Sequence, residues 1–357
     1  MNRSRLTALR AFPASGVLRS LCSLRVWAVA AGALVALTPA QAQQSLLNAS
    51  YDVAREFYRE INPAFVQSYQ QQTGQAIKVD QAHGGSSAQA RAVREGLQAD
   101  VVTMNTTTDI DFLADNGLVA KDWAQQFPYD AAPTTSTMLF LVRKGNPKGI
   151  RDWADLVKPG VQVVVVNPKT GGNGRYAYLA AWGAVLEGGG TPEQAREFVA
   201  QLYKNVPVLG KGGRDATAVF LQRNIGDVLV TFESEVLSVE REFGKGRVDV
   251  VYPSTSVLAE NPVALVQPVV QKKGTEQAAR AYLQFLYSEQ AQEIAARHGL
   301  RPRSQAVLER HAQQFKPIKL FRVQEHFGSL GQAQKVHFND GGEFDRLYGA
   351  GQGAGRR

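Results

Sequence analysis

From residue 45 onward the chain alternates short β-branched runs with stretches of helical periodicity, and this alternation restricts the fold more than any other feature. The strand-like runs are Ser45–Ala49, Ala76–Gln81, Asp100–Met104, Met138–Arg143, Gln162–Val166, Pro207–Leu209, Asp227–Phe232, Val248–Tyr252 and Val263–Val269. Helical patterns fill the gaps: Val53–Gln72, Ala88–Leu97, Gly174–Leu186, Pro192–Tyr203, Thr217–Gln222 and Glu235–Phe243. Strand–helix–strand order predicts parallel or mixed sheets covered by helices on both faces. Beyond Gly274 the pattern turns mostly helical. Thr275–Arg297 keeps Ala279, Tyr282, Leu283, Leu286, Ala291 and Ile294 on one face.

A chain of 357 residues, 44% of them hydrophobic, can bury two cores. One cysteine excludes a disulfide scaffold and a cysteine-rich zinc module. The formal charge of +8 suggests a nucleic-acid partner, but residues 1–42 hold Arg3, Arg5, Arg10, Arg19 and Arg25 and no acid. The remaining 315 residues carry 35 basic and 32 acidic side chains, so no nucleic-acid partner is indicated. Residues 1–42 read as a secretory signal peptide: an arginine-bearing start, the apolar run Val26–Leu37, and an A-x-A site at Ala40-Gln41-Ala42 with cleavage after Ala42. Twelve apolar residues are too few to span a bilayer. Cys22 leaves with the leader, and the mature chain is expected in the periplasm.

Polar chemistry gathers in four turns, each at a strand end feeding a helix start: Asn48–Asp52, His83–Ser87, Asn167–Arg175 and Gly210–Thr217. In open α/β sheets, ligands bind beyond the carboxyl ends of the strands. The first-turn amides of a helix have no partner inside it, and the helix dipole adds positive potential, so such a place suits an anion. Any one of these turns is an ordinary connection; four together, two from each half, point to a site. Other chemistries find less support. There is no G-x-x-x-x-G-K-[ST] run around Lys169-Thr170, no G-x-G-x-x-G, and no G-x-S-x-G elbow to make Ser86 and His83 a hydrolase. The five histidines lack metal-ligand spacing, so neither a metal nor another cofactor is expected. Trp182 with Tyr178 and Leu179 reads as core, and Phe232-Glu233-Ser234-Glu235 as a strand end before an acidic helix start.

The segments Ser50-Tyr51-Asp52, His83-Gly84-Gly85-Ser86, Val142–Lys148, Asn167-Pro168-Lys169, Tyr178–Gly183, Gly226–Leu229 and Gly341–Asp345 carry a resemblance. In their order they are similar to the periplasmic sulfate- and thiosulfate-binding proteins of bacterial ABC importers, over essentially the whole mature chain. The resemblance implies an α/β, two-lobed periplasmic-binding-protein-like fold of class II type, with a ligand cleft between lobes. It divides the chain into signal peptide 1–42, first lobe 43–130, second lobe 131–255, and 256–357 returning to the first lobe with C-terminal helices. It implies a monomeric receptor, not an enzyme, that passes sulfate or thiosulfate to ABC permease subunits in the inner membrane. Another tetrahedral oxyanion, phosphate or molybdate, and a secreted serine hydrolase are the alternatives.

In that family the dianion is held by hydrogen bonds without a cationic side chain. Carried over, the amides of Asp52, Ser86, Gly172, Asn173 and Gly213 would be donors. Two side-chain donors of the family, a serine hydroxyl and an indole N–H, fall at Gly171 and Phe232, so both are missing here. At roughly 1.5–3 kcal/mol for each hydrogen bond to a charged group, the loss is large enough to need an explanation. Thr170 or water replaces the donors, or affinity is weaker, or the ligand is thiosulfate, whose terminal sulfur accepts hydrogen bonds poorly and suits a phenylalanine. Arg175 and Arg214 are expected behind the site, tying down loops. Asp215 stands where the family has glycine and is read as the N-cap of Ala216–Gln222.

Overall fold

The computed structural model describes residues 44–354; the stretch expected to be a signal peptide, with its expected cleavage site, lies outside the described residues. Val163–Val166 shows why the inner strands form where they do. Four consecutive valines, each at most 1% exposed, mark a strand covered on both faces rather than one with a wet side. It lies in a five-stranded mixed sheet, in the order Leu209–Gly210, Val163–Val166, Val228–Phe232, Met138–Arg143, Val248–Val251. The first three strands run parallel, and Met138–Arg143 pairs antiparallel with both its neighbours. A four-stranded sheet holds Val263–Leu265, Val101–Thr103, Gln44–Tyr51 and Ile77–Gly84 in that order, with only the Val263–Leu265 edge antiparallel.

Each sheet has its own core. Phe57, Ile61, Phe65, Val101, Ile110, Tyr282 and Leu283 pack on the four-stranded sheet. Phe140, Trp153, Tyr178, Leu179, Val199 and Phe232 pack on the five-stranded one. The chain passes between them where Thr134–Ser136 meets Ala259–Asn261, antiparallel, with Ala259 opposite Ser136. After the second passage residues 263–300 join the first core, whereas Phe321, Val323, Leu330, Phe338 and Phe344 join the second. No described helix is long and apolar enough to cross a membrane.

Three expectations need correction. The run Val263–Val269 is a strand only to Leu265; Pro268 then sits in the first turn of the helix Gln267–Lys273, where its missing N–H costs nothing. Thr275–Arg297 is two helices, Glu276–Phe285 and Glu289–Arg297, because Ser288 accepts a hydrogen bond from Ala291 N (3.2 Å) and starts a new one. The helices after three of the turns begin earlier than expected, at Ser86, Gly172 and Gly213. That last correction matters most for function, because it puts the glycine turns themselves into the first helical turn.

Candidate functional site

All four turns lie at the carboxyl ends of strands. Gln44–Tyr51 leads into the single-turn helix Asp52–Ala54, Ile77–Gly84 into Ser86–Arg94, Val163–Val166 towards Gly172–Glu187, and Leu209–Gly210 into Gly213–Leu221. Gly85, Gly171 and Gly212 occupy the cap positions with extended or near-extended backbone. Among the described residues, the amides of Ser86, Gly172, Asn173 and Gly213 donate no hydrogen bond to the protein. They are the orphan first-turn donors that the helix geometry leaves over.

Turns from the two halves meet. Thr170 O lies 3.7 Å from where a Cβ on Gly85 would stand, Asp52 Oδ2 3.2 Å from one on Gly212, and Val53 Cγ2 3.0 Å from one on Gly213. Phe232 ends its strand at 2% exposure, edge-on to Tyr176 with ring centroids 6.0 Å apart. Ser86 Oγ accepts from Asn105 N (3.3 Å), while His83 Nε2 faces Gln81 Oε1 (2.5 Å); Ser86 and His83 do not pair.

The charged residues around the site bind protein. Arg175 is buried and donates to Pro168 O (3.2 Å), Thr108 Oγ1 (3.1 Å) and Ser87 Oγ (3.1 Å), with Asp109 Oδ1 at 3.7 Å. Arg214 joins Glu56 (2.5 Å) and Glu242 (3.0 Å). Thr170 Oγ1 has one proton to give, and its two neighbouring acceptors are Asn167 O (3.2 Å) and Lys211 O (3.1 Å). Asp215 is not an N-cap. Gly212 caps the helix, and Asp215, two residues past its start, turns its carboxylate back to accept from Lys211 N (2.7 Å). Burial raises the pKa of the Asp52 carboxyl, against the pull of the Val53 amide and Arg214.

The sequence matches the bacterial extracellular solute-binding protein family over residues 46–301. The chain belongs to that family. It is 56% identical to the thiosulfate-binding protein of Pseudomonas aeruginosa, over 87% of this chain and 93% of the relative. It is 47% identical to the sulfate-binding protein of Escherichia coli, over 90% of this chain and 98% of the relative. The solved structure of the sulfate-binding protein SubI from Mycobacterium tuberculosis superposes with a TM-score of 0.75 at 33% identity, covering 82% of this chain and 99% of that one. A periplasmic thiamin-binding protein superposes at 0.64 with 18% identity, over 86% of this chain and 96% of that one, which carries the fold alone. The two sheets and their double crossover are thus a periplasmic-binding-protein fold with the cleft between its lobes.

Two residues of this solute-binding protein's site escaped sequence reasoning. Asn105 lies between Ser86 and Gly172, at the end of the strand Val101–Thr103 and before the helix Thr107–Asp115. The Asn105–Thr108 turn has the same strand-to-helix position as the other four, but three threonines fill it in place of the glycine, alanine or serine that marks those turns, so a search for small-residue turns passes over it. Glu235 is fully buried in the first turn of Glu233–Phe243, and its Oε2 accepts from Thr217 Oγ1 (3.0 Å). Burial pushes its pKa up to about 7, with Asp52 and Glu56 adding to the effect and Arg214 and the Thr217 hydrogen bond opposing it. An acid at a helix start signals dipole compensation on the surface; nothing local tells that this one is inside.

Proposed function

We propose that this protein is a periplasmic receptor that captures sulfate or thiosulfate in the interlobe cleft and delivers it to the permease of an ABC importer. The observation that carries the reading is the set of unbonded first-turn amides, contributed by both lobes, with the adjacent arginines already spent on protein groups. A fully ionised tetrahedral oxyanion fits such a set, because dipolar N–H groups spread its two charges without a counter-ion. Each lobe holds donors that only the ligand satisfies jointly, so binding favours closure. The amides are those of Asp52, Ser86, Gly172, Asn173 and Gly213, with Gly171 and Phe232 lining the wall. Phe232 offers an apolar contact that suits the sulfur of thiosulfate, the ligand named for the Pseudomonas relative. Binding rather than catalysis is supported by Ser86, whose hydroxyl has an amide rather than a base as partner. The mature chain acts as a monomer after removal of residues 1–42.

Calorimetric titration with sulfate, thiosulfate, molybdate and phosphate tests the reading. One sulfate or thiosulfate per chain is expected. Tighter binding of phosphate or molybdate, or binding of none of the four, would overturn it.

A further inference from the structure

The proposed anion site lacks side-chain donors at Gly171 and Phe232, and the Thr170 hydroxyl is engaged with carbonyls. Asn105, from the first lobe, brings a side chain to the same place. Asn105 is 5% exposed, and its main-chain N–H donates to Ser86 Oγ (3.3 Å), which fixes it beside one of the site amides. Its carboxamide lies against Gly172 of the other lobe: a Cβ added there would sit 3.0 Å from Asn105 Cγ and closer still to Oδ1. Gly172 is the first residue of its helix and bears another site amide. The Asn105 Oδ1 is buried and has no donor among the described residues. Leaving a buried carbonyl oxygen unbonded is costly, and an arrangement that turns the NH2 to a ligand in its place removes the cost. A half-turn about the terminal torsion presents either the oxygen or the NH2, and only the NH2 attracts an anion.

We propose that Asn105 contacts the bound oxyanion: its carboxamide N–H replaces a missing side-chain donor, and Gly172 lacks a Cβ to leave room for it. This rests on the oxyanion-receptor reading and adds a residue that belongs to none of the four turns. An N–H donor prefers an oxygen acceptor to a sulfur, so sulfate, with four equivalent oxygens, gains at least as much from it as thiosulfate.

The test is calorimetry with sulfate and thiosulfate on Asn105→Ala, Asn105→Asp, Gly172→Ala and the Asn105→Ala/Gly172→Ala pair. Asn105→Ala is expected to weaken sulfate about tenfold or more, in line with loss of one charge-assisted hydrogen bond. Asn105→Asp, which sets a negative charge beside the dianion, should weaken it more than about 100-fold. Gly172→Ala should resemble Asn105→Ala, and the double variant should be little worse than either, since both changes remove one contact. For a variant that folds poorly, the wild-type protein supplies the readout: one asparagine side-chain NH2 pair should shift on sulfate addition and be missing from the spectrum of Asn105→Ser. Asn105→Ala within twofold of wild type for both anions, additive losses in the double variant, or no shifting asparagine NH2 pair overturns the assignment. Wild-type protein that binds neither anion would instead sink the oxyanion reading itself.

Discussion

The two halves of the site are built differently. In the first lobe the turns have room to give and are acidic. A Cβ on Gly84 would press only on the end of the Gln89 side chain (2.7 Å), one on Gly85 would meet nothing nearer than Thr170 O at 3.7 Å, and Asp52, Glu56 and Asp109 stand around the amides. In the second lobe the turns are tight and basic. A Cβ on Gly174 would press on Val166 O and come within 2.7 Å of Asn167 C and Pro168 N, and one on Gly210 would stand 2.7 Å from Ala216 Cβ. Arg175 and Arg214 then reach across to Asp109 and Glu56. Charge in this protein joins lobe to lobe, and the space it encloses is left to dipoles. On the proposed reading, a dianion entering there meets main-chain donors that carry no net charge of their own.

The glycine contrast gives the largest expected effect. Gly174→Ala must move the backbone of the turn that aims the Gly172 and Asn173 amides, because no side-chain end is available to yield. Overpacking of this kind costs about 1–3 kcal/mol of stability. The misdirected amides should abolish the ligand-dependent rise in Tm with sulfate or thiosulfate. Gly85→Ala should keep that rise nearly intact, since 3.7 Å is ordinary contact. Equal losses in both variants would erase the distinction between a tight and a loose half.

Next in size comes the charge contrast. On the proposed closure, the open form gives Arg175 and Asp109 back to water, so Arg175→Gln should act on closure and hence on affinity. Arg175 is buried and donates to two acceptors of the first lobe, Thr108 Oγ1 and Ser87 Oγ, each hydrogen bond being worth roughly 1.5–3 kcal/mol at a charged group, less what Gln recovers; a loss of about 10–100-fold is expected. Arg214 is about a third exposed and screened, so Arg214→Gln should cost only a few-fold. Isothermal titration ranks the two, and melting of the ligand-free variants supplies the control. A large fall in ligand-free Tm with affinity unchanged would make the Arg175 cluster a folding element instead.

Strands with dense valine, such as Val163–Val166, and the glycine turns that follow them were legible in the sequence because their signal is local. The connecting strands were not. Thr134–Ser136, Thr255–Val257, Ala259–Asn261, Arg301–Pro302 and Lys319–Phe321 are two or three residues long and exist through partners far along the chain, as Thr255 does opposite Lys319. The starts at Gly172 and Gly213 lie before the expected ones because glycine lowers helix propensity, yet in a first turn that cost is small against the gain in close approach, and the start at Ser86 does so because serine favours caps and turns. Arg214 was expected to matter, but its acceptors Glu56 and Glu242 lie 158 and 28 residues away, and only the fold brings them together.

Glu235 sharpens the comparison from the other side, as an acid of the second lobe facing the acids of the first. Tyr51, Asp52 and Glu56 surround it with Thr217, and Arg214 is the cation nearest in effect. Folded, it holds its proton up to about pH 7; unfolded, it loses the proton near the ordinary carboxylate value. Between those values the folded state binds more protons, so raising the pH weakens folding, and above about 7 the penalty is constant. Below the ordinary value it vanishes. Glu235→Gln keeps an acceptor for Thr217 and removes the titration, so its ligand-free Tm should match wild type near pH 4 and exceed it at pH 8. A tenfold change in proton affinity is worth about 1.4 kcal/mol, and for this buried group the penalty amounts to roughly 1–3 kcal/mol, or a few degrees. Asp52, raised in the same direction, leaves a smaller slope of the same sign in the variant. Parallel melting curves for the two proteins from pH 4 to 8 would mean that Glu235 stays ionised beneath Gly213, and that the wall of the second lobe is not neutral.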